Sequence, residues 1–152
     1  MSEFDVQIAF ERADDTARRL PTRREMREWM TAAASVDMDV SVRFVGLEEG
    51  RELNRMYRDK DYATNVLTFD YAHEPVAQAD LVICTDVLVR EAAEQKKSFR
   101  SHLAHLLIHG VLHAQGWDHM TDEEAEEMEA LETRLMKSLG FADPYSDRAR
   151  AH

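Results

Sequence analysis

The sequence holds a single cysteine, Cys84, which excludes an internal disulfide framework and any paired-cysteine metal site. No apolar run approaches the roughly 18–20 residues that span a bilayer. The opening residues, Met1-Ser2-Glu3-Phe4-Asp5, carry acids where a secretory signal would carry Lys or Arg. Repeats and low-complexity linkers are absent. Positive charge is scarce: 19 Lys plus Arg face 30 Asp plus Glu, a formal net charge of −11. Such a chain repels nucleic acid at long range, so an RNA or DNA role requires a local basic patch or a bound metal. What is present suffices for one core, with 152 residues of which 44% are apolar and 8% aromatic; wholesale disorder is excluded. The expectation is a soluble, cytoplasmic, single-domain protein without a membrane partner.

Phe4, Val6, Ile8 and Phe10 alternate with polar neighbours, the two-residue period of a half-buried strand. Pro21-Thr22 opens a predicted helix to about Ser35, with Met26, Trp29, Met30 and Ala33 at three-and-four spacing. Val40, Val42 and Phe44 predict a second strand. Leu47 to about Arg58 reads as a short helix with Leu53, Met56 and Tyr57 inward. Residues 65–69 and 81–84 suit two more strands, and the segment from Asp70 to Asp80, with Pro75, reads as a loop. Thr85 or Asp86 can cap a helix to about Lys97, and Ser98 or Ser101 a helix to about Ala114. Thr121-Asp122-Glu123-Glu124 has capping-box spacing and starts a last helix that ends before Gly140. The acids from Asp122 to Glu132 read mostly as its wet side, with Met128, Leu131 and Leu135 inward. Mixed strands and helices early, then helices, predict an α+β fold: about four strands in a mixed sheet packed with about five helices. Residues 1–142 form the single domain and 143–152 a C-terminal tail.

Five of the seven histidines, His102, His105, His109, His113 and His119, lie close together. His109 and His113, four apart on a predicted helix, project from one face about a turn apart. Gly116 follows, and glycine takes the left-handed conformation that ends a helix. The chain can then fold back and aim His119 at the same point. Three neutral imidazoles leave a fourth position for water, the plan of a catalytic zinc site. His102 and His105 continue the same helical face, and packing or hydrogen bonding behind the ligands suits them. Asp118 suits either the orientation of a ligand histidine or a plain turn. Cys84 reads as a small buried hydrophobe.

The run HxxxHxxGxxH shares its spacing with the metzincin peptidase motif HExxHxxGxxH. The position of that motif's glutamate, the general base, is Gly110 here. Glycine takes no proton, so the spacing favours a zinc-site helix while the missing acid argues against ordinary proteolysis.

His109 to His119 resembles the HGxLHLxGYDH signature of the bacterial YbeY-type endoribonucleases, also called rRNA maturation factors. A second stretch, Leu53 to Phe69, resembles that family's LNxxYRxKDxPTDVLSFP, and Ala79-Asp80-Leu81-Val82-Ile83 is close to its GDIVI strand. The likeness runs from about Val40 to Tyr145 in the same order. Departures are Ala63 for proline, Asn65 for aspartate, Thr68 for serine, Asp70 for proline, Gln115 for an apolar residue and Trp117 for tyrosine.

The resemblance implies a zinc-dependent, single-strand-specific endoribonuclease of small-subunit (16S) ribosomal RNA 3′-end maturation and ribosome quality control. By position it implies one Zn2+ on His109, His113 and His119, and a functional arginine at Arg58. Small-subunit ribosomal proteins or an assembly GTPase are the further partners it suggests, with no DNA. A guanidinium can grip a phosphate through two parallel N–H bonds and stabilise charge developing at phosphorus. Arg51, Arg55 and Arg58 at helical spacing, with Lys60 beyond, would form a basic rim against the net negative field. The nucleophile stays open between a water activated by zinc and the ribose 2′-hydroxyl. Two other readings compete: a metallopeptidase-like hydrolase with a base from elsewhere, and a non-catalytic ribosome assembly factor with a structural zinc.

Overall fold

The computed structural model describes residues 4–13, 20–58 (for Arg58 the backbone alone), 65–117 and 121–145. In chain order the elements are β1 Val6–Arg12, α1 Arg23–Ala32, β2 Asp37–Val45, α2 Leu47–Arg58, β3 Val66–Ala72, β4 Val76–Cys84, α3 Thr85–Glu94, α4 Phe99–Ala114 and α5 Asp122–Ser138. One mixed sheet runs β1-β2-β4-β3. β1 and β4 flank β2 in parallel, and β3 joins β4 antiparallel as an edge. This is the single-domain α+β fold expected from the order of patterns, with a four-stranded mixed sheet and five helices among the described residues.

The alternation in β2 buries Met38, Val40, Val42 and Phe44 on one sheet face. Register pairs Val40 with Ala79, Val42 with Leu81 and Phe44 with Ile83, so two inner strands present one apolar surface. α4 lies against that surface and is enclosed by α1, α3 and α5 as well. Leu103, Ala104, Leu107, Ile108, Val111 and Leu112 are all buried, the pattern of a helix apolar almost all round. The helix therefore holds its histidines from the middle of the core, where neighbours on several sides limit its movement.

Caps mark the helix starts. Thr22 and Glu25 form a reciprocal capping box on α1; Ser98 Oγ accepts from Ser101 N at 3.0 Å, and Thr121 Oγ1 from Glu124 N at 3.1 Å. α3 differs from expectation. Its N-cap is Cys84 with no side-chain cap bond, and it ends at Glu94. Thr85 donates instead to Val45 O, while Asp86 accepts from Leu47 N at 3.0 Å and so caps α2. Cys84 is buried beside Val45 and Val87, in keeping with a packing role.

Two further expectations are corrected. The supposed loop from Asp70 to Asp80 is a hairpin: β3 runs to Ala72 and β4 starts at Val76, with a bulge between Asp70 and Ala72. Asp70 and Tyr71 belong to the exposed edge strand β3, and in β4 the buried positions before Leu81 are the small residues Ala77 and Ala79, a weak apolar signal. On α2 the buried row is Gly50 and Asn54, whereas Met56 and Tyr57 are exposed. A small residue and an amide take the close approach that apolar bias assigned elsewhere. Beyond α5, Tyr145 N donates to Asp143 Oδ1 at 2.8 Å and Lys97 Nζ to Pro144 O, which seats Asp143, Pro144 and Tyr145 against the domain. Among the described residues no helix is long and apolar enough to cross a membrane.

Candidate functional site

α4 stops where its sequence says it should. Gly116 adopts φ +98°, Gly116 N donates to His113 O at 3.0 Å, and Trp117 N donates to Leu112 O at 3.0 Å. These bonds form a Schellman turn. His73, from the β3–β4 turn, places Nδ1 3.0 Å from Ala114 O and Nε2 3.3 Å from Asp70 Oδ2. Gln115, where the resemblance has an apolar residue, accepts from Ser35 N at 2.6 Å and donates to Ala33 O at 2.9 Å. The C-terminal turn of α4 is thus tied to the edge hairpin and to the α1–β2 connection. The roles of His73 and Gln115 carry no signal in the sequence, because their partners are remote in the chain.

His109 and His113 emerge side by side from this end of the helix. Their ring centroids lie 4.7 Å apart with planes at 77°. Behind them stands an acid that sequence reasoning placed in solvent. Glu132 of α5 is wholly buried, with Oε1 2.5 Å from His109 Nδ1 and Oε2 3.1 Å from His105 Nε2. The Tyr145 hydroxyl donates to the same Oε2 and lies 3.2 Å from His105 Nε2. Burial alone would push the Glu132 carboxyl up; hydrogen bonds from His105, His109 and the Tyr145 hydroxyl instead hold it at about 2. One sequence signal could have found it. Met128, Glu132 and Met136 are spaced by four and form the buried row of α5.

His102 turns to a second carboxylate. Its Nε2 lies 3.0 Å from Glu91 Oε1 on α3, and Asn65 Nδ2 donates to the same oxygen at 3.2 Å. The bond from His102 leads in holding Glu91 below the usual glutamate range, against the opposing effect of burial and helped by Asn65. An amide at position 65 can donate here, where the aspartate of the related pattern would meet a like charge. His105 thus shares Glu132 with His109, whereas His102 pairs with Glu91 on α3.

Gly110, at the position of the metzincin base, faces the sheet. A Cβ there would meet Leu81 Cδ1 at 2.8 Å. The glycine lets α4 approach β4, and this position offers no seat for an acid beside the histidine pair. Of the remaining candidates, Asp118, His119 and Lys60 lie outside the described residues. Arg58 is the last residue of α2. Arg51 and Arg55 are exposed on the same helix, and Arg55 pairs with Glu52 at 2.6 Å. Trp117 packs half-buried against the core beside the turn.

The family model for endoribonuclease YbeY matches residues 6–140. The chain belongs to the endoribonuclease YbeY family. An endoribonuclease YbeY from Acidovorax sp. (strain JS42) is 55% identical over 150 residues, covering 96% of this chain and 98% of the relative. Another, from Paracidovorax citrulli (strain AAC00-1), is 61% identical over 126 residues, covering 82% and 83%. The solution structure of TM1509 from Thermotoga maritima superposes with a TM-score of 0.60 at 25% identity, covering 91% of this chain and 98% of that one.

Among the described residues no group of three His, Cys, Asp or Glu side chains is arranged to hold a metal ion. The donor chemistry present nevertheless fits one. Two imidazoles sit side by side, half-buried, and the first is backed by a carboxylate on Nδ1. That is the outer hydrogen bond which metal-ligating histidines almost always make.

Proposed function

We propose that the protein is a zinc-dependent endoribonuclease that cuts single-stranded RNA, with His109, His113 and His119 as metal ligands and Arg58 as the phosphate-gripping residue. The observation that carries this reading is the His109–His113 pair, 4.7 Å apart on a core helix and backed by Glu132, in a chain of the endoribonuclease YbeY family. The substrate we propose is small-subunit ribosomal RNA, in 3′-end maturation and ribosome quality control in the cytoplasm. Small-subunit ribosomal proteins or an assembly GTPase would present it; this part of the reading rests on the family resemblance.

Zinc, when bound, supplies Lewis acidity beside the phosphodiester and makes nearby water more acidic. The chain's residues do the rest. His109 and His113, rooted in a core helix, give the ligand set a fixed base. Arg58 binds a non-bridging phosphate oxygen pair and offsets the charge that grows at phosphorus. Gly110 packs on Leu81, so an ordinary peptidase base is missing from its usual position.

The test pairs metal analysis of protein purified without added metal with cleavage of single-stranded RNA by wild type, His113→Ala and Arg58→Ala. About one zinc per chain and loss of cleavage in both folded variants is the expected result. Bound zinc without cleavage by the wild type would favour a non-catalytic assembly factor, and no bound metal would overturn the ligand assignment. Cleavage that persists after 2′-deoxy substitution at the cut position would exclude the ribose hydroxyl as nucleophile.

A further inference from the structure

A carboxylate with no solvent contact is an expensive way to fill a helix face. Glu132 shares its buried row with Met128 and Met136, and a third apolar side chain there would pack without the cost of desolvating a charge. No Lys or Arg is among the partners described for it; its oxygens meet His105, His109 and the Tyr145 hydroxyl. The two oxygens are divided between different tasks. Oε2 takes His105 and Tyr145, while Oε1 faces His109 Nδ1 at 2.5 Å.

An ionised carboxylate only accepts hydrogen bonds, so the ring nitrogen facing it must carry the proton. For a neutral imidazole that choice places the lone pair on the opposite nitrogen. We propose that Glu132 is a positioning residue that locks His109 in the tautomer protonated on Nδ1, with His105 and Tyr145 anchoring the other carboxylate oxygen, so that Nε2 of His109 is the metal-binding atom. This rests on the reading of His109 and His113 as ligands. The negative charge behind the ring also makes Nε2 a better donor to a divalent cation.

The anchoring is spread over the fold. His105 is one helical turn before His109 on α4, Glu132 comes from α5, and Tyr145 from the segment beyond it. That segment is seated by Lys97 Nζ on Pro144 O and by Thr133 Oγ1 on Asp143 Oδ1 at 3.5 Å. Residues 143–145 therefore contribute to the ligand's surroundings, and Tyr145→Phe should weaken zinc binding in the same direction as a change at Glu132, though less.

The experiment reads two quantities besides activity. Long-range 1H–15N spectra of the metal-free wild type report the tautomer of His109, identified by its absence in His109→Gln. Competition with a chromogenic chelator reports zinc affinity for the wild type, Glu132→Gln, Tyr145→Phe and His113→Ala. We expect His109 as the Nδ1–H tautomer in the wild type and a mixture in Glu132→Gln. Zinc affinity should fall by about 10- to 100-fold in Glu132→Gln. An Nε2–H tautomer in the wild type overturns the proposal and needs no variant that must fold. So does wild-type affinity in a folded Glu132→Gln when His113→Ala has lost zinc. Unchanged affinity in His113→Ala would instead overturn the ligand reading on which the proposal rests.

Discussion

Gly110 of α4 stands so close to Leu81 of β4 that a methyl group at position 110 would approach Leu81 Cδ1 to 2.8 Å. Leu81 is itself wholly buried and has little room to yield. Ala is favoured over Gly in a helix interior by about 1 kcal/mol, but overpacking a core typically costs about 1–3 kcal/mol. The second effect wins, and Gly110→Ala should lower stability by about 1 kcal/mol by this difference. In a Leu81→Ala background the void accepts the methyl, so the same substitution should become neutral or stabilising. Urea unfolding of the two single variants and the double variant measures the sign change. Equal effects of Gly110→Ala in both backgrounds would show that the contact does not limit the helix–sheet distance.

Gln115 offers a test of how α4 is anchored. Its amide accepts from Ser35 N and Oγ and donates to Ala33 O and Val111 O, spanning from α4 to the chain after α1. Net hydrogen-bond contributions cluster near about 1 kcal/mol each, and groups on exposed backbone recover part of that from water. Gln115→Ala should therefore destabilise by about 1–3 kcal/mol. The expected accompaniment is faster amide exchange at Ser35. Unaltered exchange there would mean that Gln115 does not tie the two segments together.

Glu91 gives a pH dependence whose sign follows from its surroundings. His102 from α4, Asn65 at the start of β3 and the neighbouring Arg90 face it, and together they lower its pKa in the folded state. A depressed carboxyl contributes stability that is present above the ordinary value of 4.5 and is lost as pH falls through the folded value. At neutral pH, Glu91→Gln should cost about 1.5 kcal/mol, the size of a hydrogen bond to a charged group. The gap should hold down to the ordinary glutamate range, then narrow and close below the folded pKa. Urea midpoints of both proteins across that range provide the check, and a gap that widens on acidification would contradict the assignment.

The parts of this molecule legible in the sequence are those set by local spacing. The strand at Val40, Val42 and Phe44 and the helix row at Met26, Trp29 and Met30 follow from periods of two and three-to-four, and each element is present. His109, His113 and Gly116 are readable for the same reason, since one helix and its C-terminal turn place all three. The β3–β4 hairpin was hidden because Asp70 and Tyr71 sit on an exposed edge, where burial imposes no alternation. Glu132 was hidden in another way. Its charge sits in a run of seven acids that reads as solvated surface, and the donors that make its burial tolerable come from positions 105, 109 and 145. Only tertiary structure brings those donors together.

The ligand assignment has a thermodynamic consequence that does not depend on RNA. A metal that binds the folded chain in preference to the unfolded one stabilises it by about 2.7 kcal/mol at a free concentration one hundred times its dissociation constant. For a domain of this size, 1 kcal/mol moves the melting temperature by about 2–4 °C. Added zinc should therefore raise the Tm of the metal-free wild type by several degrees, and a chelator should reverse the rise. His113→Ala should melt at a temperature insensitive to zinc, because two remaining imidazoles no longer form a closed donor set. Arg58→Ala should keep the full zinc response, since a phosphate-binding guanidinium takes no part in holding the metal. Differential scanning fluorimetry on the three proteins separates these cases. A zinc response in His113→Ala equal to that of the wild type would move the metal site away from α4.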